Sequence, residues 1–193
     1  KKNNKDEPWY RGETLITGIG QGFMTASPLQ LALATGAIAN KGQLLMPQVM
    51  MHTQSRNGDI FEEQNSESQQ IPIKDINNWE LIIEAMKQTV YGKFGTAKRL
   101  NNKLQYSLAG KTGTAQVFGL DPEEKYIAEN IEEKLRDHAL FTGFAPIEDP
   151  QVAIAIIVEN AGSGSSKAAP LARKLLDEYF IKNPIEIEKS DQI

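Results

Sequence analysis

Two apolar runs, residues 138–145 and 151–158, constrain the fold more than any other feature of this chain. Each has the length of one strand and is rich in β-branched or aromatic residues. Between them lies Pro146-Ile147-Glu148-Asp149-Pro150, where two prolines interrupt any ladder of backbone hydrogen bonds. The pattern predicts an antiparallel β-hairpin with a five-residue turn. Ala161-Gly162-Ser163-Gly164 breaks the second strand. A helix is then expected from about residue 166, with Ala168, Ala172, Leu175, Leu176 and Tyr179 on one face. Residues 183–193 read as a flexible tail.

The preceding two thirds supply helices to cover such a sheet. Residues 1–14 are polar and read as irregular, leading into the glycine cluster Gly18-Ile19-Gly20-Gln21-Gly22, which predicts a loop. Ser27 is then a good N-cap, with Pro28 at the first helical position, Gln30 completing a capping box, and Gly42 closing the helix. Apolar residues Leu29, Leu31, Leu33, Ala34, Ala37 and Ile38 spread around this helix, so it is expected to be buried on several sides. Leu44-Leu45-Met46, Val49-Met50-Met51 and the turn signal Asn57-Gly58 predict a small two-stranded excursion, and residues 62–70 a solvated polar loop. A second, amphipathic helix is expected from about Asp75 to Gly92, with Trp79, Ile82, Ile83, Met86 and Val90 at helical spacing. A strand over residues 107–118 follows. Ile127, Ile131 and Leu135 then repeat every fourth residue among charges, which predicts a surface helix. Three consecutive antiparallel strands with helices before and after them make an α+β layered domain, an antiparallel sheet flanked by helices, with no alternating βαβ series.

Composition excludes several function classes. With 193 residues, 40% of them hydrophobic, the chain has enough apolar surface for a real core. The balance of 21 Lys+Arg against 25 Asp+Glu, net charge −4, carries no basic stretch of the kind that binds nucleic acid, leaving small molecules or peptides as partners. There is no Cys, and His52 and His138 stand far apart, so neither a metal site nor a cofactor is expected. No apolar run reaches membrane-spanning length.

Chemistry concentrates in Lys111-Thr112-Gly113-Thr114, placed on the predicted strand 107–118. The segment sets an ammonium, a hydroxyl and an unobstructed backbone edge side by side. That combination suits an acyl substrate ending in a carboxylate: Lys111 supplies positive potential, Thr112 a hydrogen bond, and Gly113 lets a peptide backbone approach. The backbone N–H of Thr114 is placed to help hold a tetrahedral oxyanion. Taken alone, the same four residues read first as a strand start with a β-bulge at Gly113. His138 beside Asp137 reads as a hydrogen-bonded structural histidine, His52 as a surface residue, and Trp79 and Met86 as core. Ser55-Arg56-Asn57 reads as ordinary turn chemistry.

The surroundings of the motif decide between these. Gly18-Ile19-Gly20-Gln21-Gly22 followed by Thr25-Ala26-Ser27-Pro28-Leu29-Gln30, then Gly110-Lys111-Thr112-Gly113-Thr114-Ala115-Gln116-Val117, then Gly143-Phe144-Ala145-Pro146, resembles in order and spacing the C-terminal half of the transpeptidase domain of class B penicillin-binding proteins. Trp9-Tyr10-Arg11-Gly12 and Arg136-Asp137-His138 are most similar to the elongation-specific branch of that family. The resemblance implies the penicillin-binding protein and β-lactamase-like fold, with residues 1–182 as the C-terminal portion of one transpeptidase domain. It also implies a seryl acyl-enzyme mechanism with D-Ala-D-Ala stem peptides as donors and β-lactams as inhibitors. By the same resemblance, Lys111 and the Thr114 N–H serve the reaction, and Thr112, Gly113 and Thr114 bind the substrate. A glycan polymerase and other elongation-complex proteins are implied partners, at the periplasmic face of the inner membrane, with the anchor outside this chain. A non-catalytic scaffolding module and a D,D-carboxypeptidase or β-lactamase of the same fold are the alternatives.

The family's nucleophile motif, Ser-x-x-Lys, is missing: no Lys in the chain has a Ser three residues before it. The chain is therefore expected to be a fragment, inactive alone.

Overall fold

The computed structural model describes residues 8–50, 52–62, 68–117 and 131–184. Its centre is a three-stranded antiparallel sheet in the order β5 (Ala109–Ala115), β6 (His138–Ala145), β7 (Val152–Val158). The hairpin β6–β7 forms where the two apolar runs predict it, with Ala145 opposite Val152 and Ala139 opposite Val158. Alternate residues of β6 serve opposite faces, as the pleat requires. Ala139, Phe141 and Ala145 are fully buried in one cluster with Ala168, Ala169, Ala172 and Leu176 of the C-terminal helix α4 (Ala168–Lys182). Phe144 belongs to a second cluster with Ala109, Ala39, Ile83 and Met86, residues of β5 and of the helices α2 (Pro28–Ala39) and α3 (Asn77–Tyr91). The sheet is thus sandwiched between helices, the α+β arrangement expected.

Phe141 fixes the register of the two central strands. Gly110 of β5 lies opposite Gly143 of β6. A Cβ at Gly110 would stand 2.5 Å from the Phe141 ring, and one at Gly143 would stand 3.0 Å from it. The glycine pair makes room for the ring.

Helix α2 starts as its sequence dictates. The Ser27 side chain accepts from the Gln30 N–H at 3.2 Å, and the Gln30 side chain accepts from the Ser27 N–H at 2.8 Å. Its burial is less complete than expected: Thr35, Ala37 and Ala39 are buried, whereas Leu29 is 57% exposed. Ile38 packs against the Phe144 cluster, while Leu33, Ala34 and Ala37 line a groove shared with Leu44, Ile71 and Trp79. Helix α3 matches expectation, burying Trp79, Ile83, Met86 and Val90 while Ile82 faces outward.

Several expectations need correction. Residues 11–18, half of them read as irregular, form helix α1 (Arg11–Gly18); Glu13 accepts from the Tyr10 N–H at 2.8 Å and Trp9 Nε1 donates to Thr14 at 2.8 Å. This helix buries no residue, and its eight residues are fewer than a periodicity window needs. The excursion around Asn57-Gly58 is present as β2 (His52–Gln54) paired with β3 (Ile60–Glu62), but a second pair encloses it. Strand β1 (Gln43–Leu45) pairs with β4 (Ser68–Gln70), the latter drawn from the stretch read as solvated loop. Leu175 is 57% exposed and does not share the buried face of α4. Of the expected surface helix, Ile127 lies outside the described residues, while residues 133–135 form only a 3₁₀ turn. Phe118 and most of the tail also lie outside the described residues.

The segment leading into β5 is tied to α4 by a polar cluster. Arg173 Nε donates to both Asp177 carboxylate oxygens, at 2.6 and 2.8 Å, and Nη1 donates to the Leu100 carbonyl at the 3₁₀ turn Lys98–Asn101. Tyr106, buried at 7% exposure, donates to Asp177 Oδ1 at 2.9 Å. Burial first, and then the Asp177 carboxylate, push the Tyr106 phenol well above its ordinary value of 10.0. A phenol raised in the folded state contributes stability that is complete below the unfolded value and is lost as pH rises from there through the higher folded value. The domain is therefore expected to lose stability above pH 10.0. Urea midpoints measured from pH 8 to 11 check this, and Tyr106→Phe flattens that alkaline limb.

Candidate functional site

Among the described residues, strand β5 is the outer strand of the central sheet, with β6 on one side only. Pairing runs without interruption from Ala109 opposite Phe144 to Ala115 opposite His138, so Gly113 sits in a continuous strand and the bulge alternative is not what forms. Lys111 is exposed, and its Nζ donates to the Thr112 carbonyl at 2.7 Å. Thr112 is only 8% exposed, and its Oγ1 lies 2.7 Å from the Oγ1 of Thr96. Thr114 is exposed, and its carbonyl accepts from Gln21 Nε2 at 2.7 Å.

The Thr114 bond sets the orientation of the strand. A residue whose carbonyl points away from β6 has its N–H on that same outer side, because antiparallel pairs alternate between bonded and non-bonded positions. Thr114, and Thr112 two residues earlier, therefore present backbone groups along the outer edge. Lys111 also lines a cavity of about 400 Å³ together with Gln88, Thr89, Gly92, Lys93 and Thr96. The site thus combines a positively charged wall, two hydroxyls in contact and an outer strand edge whose Thr112 and Thr114 carbonyls are held by the Lys111 and Gln21 side chains. Such an edge can take an extended peptide and place an anion near Lys111.

Two contributors were not legible as site residues: Thr96, from a stretch read only as irregular, and Gln21, from the glycine loop. Gly20 and Gly22, at φ 75° and 70°, turn that loop so that Gln21 reaches β5 across 93 residues of sequence. The remaining candidates fall where expected. His138 Nδ1 accepts from the Asn160 N–H at 2.9 Å, a structural contact at the strand start, and His52 is exposed on β2. Ser55 accepts from the Asp59 N–H at 3.1 Å and closes the β2–β3 turn. No group of three or more metal-ligating side chains occurs among the described residues.

Residues 1–177 match the family model described as the penicillin binding protein transpeptidase domain. The chain belongs to the penicillin-binding protein transpeptidase family. Among its relatives, a peptidoglycan D,D-transpeptidase MrdA of Haemophilus influenzae is 38% identical over 98% of this chain, and the Escherichia coli K12 MrdA is 39% identical over 94%. The chain spans 29% and 28% of the lengths of those two proteins. A crystal structure of Pseudomonas aeruginosa PBP2 in complex with WCK 5153 matches with a TM-score of 0.77 and 36% identity, over 100% of this chain and 39% of that one. The Helicobacter pylori PBP2 in its complex with MreC matches at TM-score 0.69 and 30% identity, over 94% of this chain and 30% of that one. Family membership thus agrees with the resemblance read from the glycine loop, the Lys111 strand and the Gly143-Phe144-Ala145-Pro146 segment.

Proposed function

We propose that this chain is the C-terminal part of the transpeptidase domain of a peptidoglycan D,D-transpeptidase of the penicillin-binding protein 2 type, and that β5 is one wall of its active site. The observation that carries the reading is the outer edge of β5. There Lys111 lines a cavity, and the Thr112 hydroxyl and the Thr114 backbone follow it along a strand that pairs with no other on that side among the described residues. The names of the relatives matched over 94–98% of the chain favour transpeptidation over hydrolysis.

In this reading the donor stem peptide lies along β5 with its terminal carboxylate at Thr112, drawn in by the Lys111 ammonium. A serine from outside this chain attacks the carbonyl carbon of the penultimate D-Ala. The carbonyl oxygen becomes an oxyanion that the Thr114 N–H stabilises. Collapse breaks the peptide bond, and terminal D-Ala departs with the proton taken from the serine. The amine of a second stem peptide then attacks the ester, forming the cross-link and returning a proton to the serine. β-Lactams enter by the same first step and stay as the acyl-enzyme. No cofactor takes part. The reaction belongs at the periplasmic face of the inner membrane, where an elongation-complex partner such as the MreC bound by the Helicobacter pylori protein would meet it.

The division of labour gives a direct test. A fluorescent penicillin incubated with this purified chain and run under denaturing conditions is expected to leave no covalent label on it. When the complementary piece carrying Ser-x-x-Lys is supplied, the label should appear on that piece alone. Label on this chain would overturn the reading.

A further inference from the structure

Thr96 lies outside the Lys111-Thr112-Gly113-Thr114 motif, yet its hydroxyl is the partner of Thr112 Oγ1 at 2.7 Å. A threonine hydroxyl has one proton and two acceptor positions. For Thr112 to give its proton to a ligand carboxylate, that proton cannot be spent on Thr96. The short contact then has one productive form: Thr96 donates, Thr112 accepts, and the Thr112 proton is left directed at the ligand. We infer that Thr96 is a positioning residue for carboxylate recognition, orienting the Thr112 hydroxyl so that it donates to the anion. This rests on the assignment of Thr112 as the carboxylate ligand.

The local fold holds Thr96 in place for this. Its loop is tied to the end of α3 by the Ala97 N–H donating to Thr89 at 3.0 Å and the Gly95 N–H donating to Gly92 at 3.0 Å. A Cβ at Gly95 would overlap the Thr89 carbonyl oxygen, so only glycine lets the loop close this tightly. Ala97, the next residue, is anchored in the core at 2% exposure with Val90 and Leu100. Thr96 itself remains exposed and lines the same cavity as Lys111. An anion drawn to Lys111 therefore meets a hydroxyl pair whose outer member is fixed by the loop and whose inner member is buried. A neutral pair of this kind aligned toward a charge forms a charge-assisted hydrogen bond, stronger than a neutral one.

The test uses the whole transpeptidase polypeptide and compares its acylation by a penicillin with acylation by the methyl ester of the same penicillin, which lacks the anion. Thr112→Val should abolish most of the preference for the free acid. Thr96→Val, close in shape but without the hydroxyl, should lower that preference by about tenfold while changing the ester rate little. Thr96→Ser should restore it. Thr96→Val combined with Thr112→Val should be no worse than Thr112→Val alone, since the two act through one contact. Equal losses for acid and ester in Thr96→Val, or additive losses in the double variant, would show a merely structural residue and overturn the inference. If Thr112→Val leaves the acid preference intact, the carboxylate assignment itself fails, and the role of Thr96 falls with it.

Discussion

Phe141→Ala is expected to destabilise the domain by about 3–5 kcal/mol. The ring is fully buried and sits over the Gly110–Gly143 pair, two positions with no side chain of their own. Removing it leaves a cavity floored by glycines, which offer no atoms that can move in to fill it. Neighbouring Ala139, Ala168 and Ala172 are equally short. The site therefore collapses poorly, and poor collapse puts the cost at the high end for an aromatic truncation. Urea unfolding followed by circular dichroism measures it. As a control, Leu175→Ala, at a residue 57% exposed on α4, should fall within the small range of surface substitutions. Because Thr112 pairs with Phe141 across the strands, the loss of the ring also loosens the strand that carries the site.

How much of this was legible depends on whether a local pattern carried it. The capping box Ser27-Pro28-Gln30 placed α2 because cap and helix lie within four residues of one another. The hairpin β6–β7 was readable because both faces of its strands are covered, giving nearly continuous apolar runs bounded by proline. Helix α1 is only eight residues long, too short for periodicity to identify, and no burial anchors it. The β1–β4 pair rests on partners about 25 residues apart, with the Ile71 N–H donating to Gly42 at 2.8 Å beside it; Ser68-Gln69-Gln70 has no strand pattern at all. At the site, Lys111 to Thr114 were recognisable as a local motif. Thr96 and Gln21 become part of it only through contacts across 16 and 93 residues, which no spacing rule reveals. The exposure of Leu29 on α2 has a similar cause: composition marks a residue as apolar but not which element covers it.

The second large effect is on chemistry. Lys111 is the one cation of the motif strand, and it lines the cavity with its ammonium held 2.7 Å from the Thr112 carbonyl. In the proposed function its charge would act on the incoming carboxylate and on the developing oxyanion at once. Lys111→Ala removes that charge without touching the core, since the side chain is exposed. Acylation of the whole transpeptidase by a fluorescent penicillin should slow by about a hundredfold or more, with the unfolding midpoint almost unchanged.

That rate, measured side by side for the parent protein and Lys111→Ala in folded, stability-matched samples, tests the central claim most directly. A loss of about two orders of magnitude is the outcome expected if β5 is a wall of the active site. An acylation rate equal to that of the parent would show that the chemistry takes place away from this strand.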